Sequence, residues 1–239
     1  MKTIVLVYVT LVLLPVIGIA QTPPKRSTDQ ATIMAGAGSY RGSLSLSYEH
    51  NWQVGKKRRL DVGLGARFTS FLGANITYIT APAELTTEST SPLILFRENV
   101  EANLDSILVK SPQFNFLNLF INIGYRVSPK VYVGFSIDAT GFSFGKETRV
   151  NFMSGNTGKN TLANPTAFNI LLISDNDKGS LNSDLYFKYS VNEKWAIRAG
   201  AQFLFTEYTT KEKVQQFPME NDRFRNKSLL GAIGVSLKL

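Results

Sequence analysis

Leu117-Asn118-Leu119-Phe120-Ile121-Asn122-Ile123-Gly124-Tyr125-Arg126-Val127, then Ser128-Pro129-Lys130, then Val131-Tyr132-Val133-Gly134-Phe135-Ser136-Ile137-Asp138: apolar side chains occupy every second position on both sides of a three-residue break. An extended chain points successive side chains to opposite sides, so period-two alternation predicts strands with two chemically different faces. One face carries Leu117, Leu119, Ile121, Ile123, Tyr125 and Val127, continued by Val131, Val133, Phe135 and Ile137. The other carries Asn118, Asn122, Gly124, Arg126, Gly134, Ser136 and Asp138. Pro129 fits a turn, where its missing N–H costs no ladder bond.

The same alternation recurs on either side of this hairpin. Leu44, Leu46, Tyr48 and Trp52 alternate with serines and Glu49; Leu60, Val62, Leu64, Ala66 and Phe68 alternate with Asp61, Gly63, Gly65 and Arg67. Leu185, Phe187 and Tyr189 oppose Asp184, Tyr186 and Lys188, and Trp195, Ile197, Ala199, Phe203 and Phe205 oppose Arg198, Gly200 and Gln202. Leu229, Ile233, Val235, Leu237 and Leu239 alternate with Gly234, Ser236 and Lys238 to the last residue. Runs of about ten residues have the length that a tilted strand needs to cross a bilayer.

Connections between runs alternate short and long, with short turns at Val54–Arg59, Ser128–Lys130 and Asn192–Lys194. The long ones run from about Leu72 to Gln113, Gly145 to Ser180 and Glu207 to Lys227. An outer-membrane barrel has short periplasmic turns, long extracellular loops and an even strand number. Seven runs are clear, so parity demands an eighth; Ala31–Tyr40 supplies it, with Arg41-Gly42 as the one short outer turn. The expected fold is all-β, a single antiparallel up-and-down transmembrane β-barrel of about eight strands.

The N-terminus fits export. Met1–Ala20 has a positive charge at Lys2, an apolar stretch from Ile4 to Val16 and the small-residue sequence Gly18-Ile19-Ala20, which predicts a secretory signal peptide cut before Gln21. Residues 21–30 form a short polar leader and 31–239 the barrel. No later window approaches the ~18 apolar residues of a membrane-spanning helix. The sequence has no cysteine, which excludes a lipid-modified cysteine, disulfides and thiolate metal sites. The net charge of +8 comes from scattered basic residues and, after export, does not point to nucleic acid.

The polar face is small and charged. Its glycines and serines suit a narrow lumen, and Glu49, Asp61, Asp138 and Asp184 stand there against Arg67, Arg126, Lys188, Arg198 and Lys238, which predicts a salt-bridged, occluded interior. Trp52, Tyr125, Tyr189 and Trp195 fall beside the short turns on the apolar face, the place of a periplasmic aromatic girdle. An arginine at Ile121 or Val133 should therefore be costly, and one at Asn122 milder.

The signal segment, the alternating runs with short and long connections and the final Leu229–Leu239 strand resemble the outer-membrane protein A-like and X-like barrel families. The resemblance is one of pattern over the mature chain, and it implies the outer membrane as location, its lipid as surroundings, the barrel-assembly machinery as a partner in biogenesis, and a monomer. Many members end in an aromatic residue, where this chain has Leu239.

His50 is the only histidine, and by parity it faces away from Glu49, on the lipid side near a turn; no phosphate loop or nucleophile elbow appears. We expect no enzyme and no cofactor. Expected instead is a structural or surface-interaction barrel whose outer loops meet an extracellular ligand; a small passive pore and a secreted lipocalin-like carrier of an apolar ligand are the alternatives. Lys56-Lys57-Arg58-Arg59 is expected as a solvated turn. In the first long loop, Val100, Leu104 and Leu108 predict an amphipathic helix over Arg97–Lys110, and Phe168–Ile173 in the second predicts a hairpin extension.

Overall fold

A computed structural model describes residues 27–91, 98–153 and 159–239; the expected signal peptide Met1–Ala20 and leader residues 21–26 lie outside the described residues. Eight long strands form the body: β1 (Ser27–Gly38), β2 (Arg41–Val54), β3 (Leu60–Gly73), β6 (Gln113–Arg126), β7 (Val131–Phe144), β11 (Leu181–Ser190), β12 (Trp195–Thr210) and β13 (Arg223–Lys238). Each pairs antiparallel with the next along the chain, and β13 returns to pair with β1 from Gln30↔Lys238 to Ala37↔Gly231, closing the ring. Closure removes every sheet edge, leaving no ladder of unpaired N–H and C=O groups.

Thirteen strands, not about eight, are present among the described residues. The additional five lie in the long connections: β4 (Ile76–Thr80), β5 (Ser106–Val109), β8 (Thr148–Phe152), β9 (Asn160–Pro165) and β10 (Phe168–Ile170). β4 leaves β13 at Phe224 and Arg225; β5, β8 and β9 follow in turn, and β9 returns to β12 at Tyr208–Thr210. With the β12–β13 hairpin these make a second, shorter ring above the loop end of the barrel. Each added strand is short, too brief to read by periodicity, and is held by partners distant in sequence.

Two boundaries differ from expectation. β1 begins at Ser27, inside the expected leader, because Thr28, Asp29 and Gln30 pair with Asn51, His50 and Glu49. Its turn falls at Ser39-Tyr40, where Tyr40 takes a positive φ of 57°, rather than at Arg41-Gly42. The helix expected over Arg97–Lys110 is absent from its described part, residues 98–110: a three-residue 3₁₀ turn, Glu101–Asn103, leads into β5. Ile107 and Val109 alternate into the cap core, and this period-two burial between β4 and β8 overrides the i, i+4 spacing of Val100, Leu104 and Leu108. Phe168–Ile170 adds a strand to β7, and Ile170 also bridges antiparallel to Lys178 through reciprocal backbone hydrogen bonds.

Alternation maps onto the two faces of the wall. On β6, Leu117, Leu119 and Ile123 are 52%, 59% and 49% exposed, while Asn118 and Asn122 between them are 1% and 0%. A bulge at Ala139, where Asp138 pairs with Phe120 but Thr140 pairs with Leu119, shifts the phase of β7, so Gly141 and Ser143 point inward above it.

Candidate functional site

The lumen is filled in layers. At mid-height Arg67 meets Asp138 at 3.0 Å and pairs with Asp184, which also takes Arg198 at 3.5 Å. Asn118 donates to Asp138 at 2.7 Å, the Asn182 backbone N–H donates to it at 3.0 Å, and Ser136 donates to Asp184 at 3.3 Å. The Arg67 guanidinium lies 4.6 Å from the Phe120 ring centre, and that of Arg198 lies 3.3 Å from Tyr186. All four charged groups are within 4% of full burial. Charges buried this deeply persist only when paired and hydrogen-bonded.

Below this cluster, toward the short turns, Asn122 joins Asn51 at 2.9 Å and accepts from the Tyr186 hydroxyl at 2.8 Å, and Tyr132 stacks on Tyr186 with centres 6.1 Å apart. These rings need space. A β-carbon at Gly124 would meet the Tyr132 hydroxyl, and one at Gly134 the Tyr186 ring, which is why glycines occupy the inward face there.

Of the nine charged residues read from the sequence, Arg67, Asp138, Asp184 and Arg198 come together. Arg126 and Asp61 form a separate pair at 3.4 Å nearer the turns. Lys188 donates to Gln30 at 2.7 Å and lies 4.3 Å from the Tyr132 ring centre, without a carboxylate partner among the described residues. Glu49 is buried with neither carboxylate oxygen hydrogen-bonded, and Lys238 is exposed at the turn-end mouth. Trp52, Tyr125, Tyr189 and Trp195 lie on the outer face within a few rungs of the turns at 55–59, 127–130 and 191–194.

His50 also faces outward. Its Nδ1 lies 2.7 Å from Asp29, which accepts from the Tyr48 hydroxyl at 2.6 Å, and its ring packs edge-on to Trp52 at 4.7 Å.

Above the ion cluster the interior turns apolar, which alternation did not foretell. Phe71, Phe114, Phe116, Leu204 and Leu230 project from the barrel strands into one buried core with Ile76, Tyr78, Ile107, Val109, Val150, Tyr208 and Phe224 from the loop-end ring. Phe114 and Tyr208 have ring centres 4.4 Å apart, and Tyr78 meets Tyr208 edge-on at 5.2 Å. The signal was present in the strands: Phe114 and Phe116 share the parity of Asn118, so the inward face changes chemistry toward its outer end.

The second long loop is tied down by charges beside the cap. Glu207 accepts from Arg223 and Arg225 at 2.8 Å each, both arginines donate to the Asp177 carbonyl, and Lys227 pairs with Asp175 at 2.7 Å. Burial pushes the Asp177 carboxyl up to about 6, against the hydrogen bond from the Leu172 N–H and the charge of Arg225. Such loop residues lie outside any periodic run, so sequence reading had no hold on them.

Outside, each of the eight strands presents large apolar side chains, twenty-four in all that are at least about a third exposed. A carrier of an apolar ligand would need the reverse arrangement, with this surface turned inward. Neither a known family model nor a curated protein matches the sequence. Among solved structures, the chain is similar to Ail of Yersinia pestis in a phospholipid bilayer nanodisc, at 9% identity over 90% of this chain and 100% of that one, with a TM-score of 0.38. It is similar to Neisserial surface protein A at 11% identity over 89% of this chain and 96% of that one, TM-score 0.34. The N-terminal β-barrel domain of Pseudomonas aeruginosa OprF matches at 7% identity over 89% and 97%, TM-score 0.35, so these likenesses to small outer-membrane β-barrels span about nine-tenths of the chain.

Proposed function

We propose that the chain is an integral outer-membrane β-barrel with a sealed lumen, whose folded outer cap serves as a surface-interaction platform. The observation that carries this is the apolar belt around a closed, polar-cored barrel. Soluble monomers rarely expose contiguous apolar patches beyond a few hundred Å². Here outward side chains such as Leu46, Leu119, Phe187, Ile197 and Ile233 are about half exposed or more on neighbouring strands right round the ring. Lipid is the solvent that such a surface fits, and a closed barrel leaves no backbone group unpaired within it.

The short turns then face the periplasm, with Trp52, Tyr125, Tyr189 and Trp195 as its interfacial girdle, and the cap faces outside. Lipid is the surrounding partner, assembly machinery inserts the chain after export, and the barrel works as a monomer. An ion-paired layer and an aromatic core stacked in one lumen favour a closed interior over a passive pore. The decisive experiment is folding into detergent and vesicles: heat-modifiable gel migration and dependence on detergent are expected. A mature protein that remains monomeric in plain buffer would overturn the membrane assignment, and steady stepwise currents in planar bilayers would overturn the sealed lumen.

A further inference from the structure

The turn end of the barrel is not filled as the loop end is. A cavity of about 120 Å³ opens there, ringed by residues of all eight barrel strands, and five basic side chains line it, Arg126, Lys130, Lys188, Lys194 and Lys238, against two carboxylates in the lining, Asp61 and Glu193, and buried Glu49 behind Lys188. Of the five, only Arg126 has an ion-pair partner among the described residues, Asp61 at 3.4 Å. Lys188 spends one hydrogen bond on the neutral Gln30 and rests on the Tyr132 ring. An open groove lined by Lys57, Arg58 and Arg59 shares Arg126, Gln53, Ser128 and Pro129 with the cavity, so it continues the basic surface outward between two turns. The basic residues 57–59 and the isolated lysines at 130, 188, 194 and 238 thus belong to one surface, although about seventy residues or more separate the run from each of them.

Like charges crowded around a cavity with polar walls repel one another and focus a positive potential on it. An oxyanion relieves that repulsion and offers acceptors to several ammonium and guanidinium donors together. We propose that this vestibule binds a phosphate-bearing anion, entering from the turn end. The proposal rests on the membrane assignment only for the side it faces, the periplasm. The phosphate can come from a soluble molecule or from an anionic lipid headgroup reaching in through the groove.

The test uses the mature protein refolded in zwitterionic detergent, its fold checked by heat-modifiable migration, with pyrophosphate titrated calorimetrically at low salt. Saturable binding is expected, weakened at least tenfold in Lys194→Gln/Lys238→Gln, whose side chains sit on the rim and do not hold the barrel together, and weakened by added salt. Lys211→Gln/Lys213→Gln, on the opposite end and paired with Glu147 and Glu220, should bind like the parent. Absence of saturable binding to folded protein, or equal loss in both double variants, overturns the vestibule. Failure of heat-modifiability would instead strike the membrane assignment, and the same titration in buffer would still judge the site. Repeating it in nanodiscs separates the sources: weaker pyrophosphate binding in phosphatidylglycerol than in phosphatidylcholine assigns the site to lipid headgroups, and equal binding assigns it to a soluble phosphate.

Discussion

Ile121 and Asn122 are neighbours with opposite surroundings, and each predicts a measurable cost. Ile121 lies on the outer face at mid-strand, so Ile121→Arg should cost about 2–4 kcal/mol in urea titration from vesicles, where a midplane charge finds neither water nor a partner. A near-neutral effect would contradict lipid exposure. Alternation alone ranks Asn122→Arg as the milder change, and the packing reverses that ranking. Asn122 is fully buried and joined to Asn51 and Tyr186, so a guanidinium there must displace the tyrosine pair as well as leave those groups unmatched. At the ion cluster, Asp184→Asn should cost roughly 3–5 kcal/mol, because Arg67 and Arg198 both lose a buried countercharge. The loss should shrink when Arg67 is first replaced by Met, which a double-mutant cycle would register.

The cap elements carry their own prediction, through Asp177. Its carboxyl titrates at about 6 in the folded protein against an ordinary 3.8, with burial as the main cause. The native state therefore holds the proton more tightly than the unfolded chain, so this group favours the docked loop at low pH, and that contribution fades as pH rises from about 4 to about 6. Amide protection between β10 and β11, taken relative to the base-catalysed intrinsic rate, should fall over that window, and Asp177→Asn should abolish the fall. An unchanged pH profile in the variant would place the titration elsewhere. The barrel strands and the cap differed in legibility for a physical reason. A strand of fourteen residues with lipid on one side repeats its pattern often enough to be read, and the hairpin at Leu117–Asp138 was sufficient for the wall. β4, β5, β8 and β9 run four to six residues each, and their faces are set by Phe71, Phe114 and Tyr208 across the molecule, which no local window contains. The mid-lumen charges were legible as inward-facing but not as a cluster, since the meeting of Arg67 with Asp184 depends on how the ring closes.

At the scale of the whole molecule, the interior holds two seals in series, the aromatic core at the loop end and the Arg67–Asp138–Asp184–Arg198 layer below it, both above the Tyr132–Tyr186 layer nearer the turns. They are built from different chemistry and, although β3 and β12 contribute to both, from different side chains, so removing one leaves the other. Replacing residues 76–109 and 148–165 with short Gly/Ser linkers deletes β4, β5, β8 and β9 while sparing every rung of the eight-stranded ring. That shortened barrel should still fold, because the ring's ladder and its lipid-facing belt are intact. It should also remain silent in planar bilayers, because the ion-paired layer still fills the cross-section. Alanine at Arg67, Asp138, Asp184 and Arg198 together in the full-length chain should weaken folding without opening a path, since the cap core remains above. Only the two changes combined with Tyr132→Ala and Tyr186→Ala, which empty the remaining ring layer toward the turns, should give stepwise currents in whatever fraction folds. Conductance after cap removal alone would show that the charged layer is leaky, and the lumen would then be a gated pore with the cap as its plug.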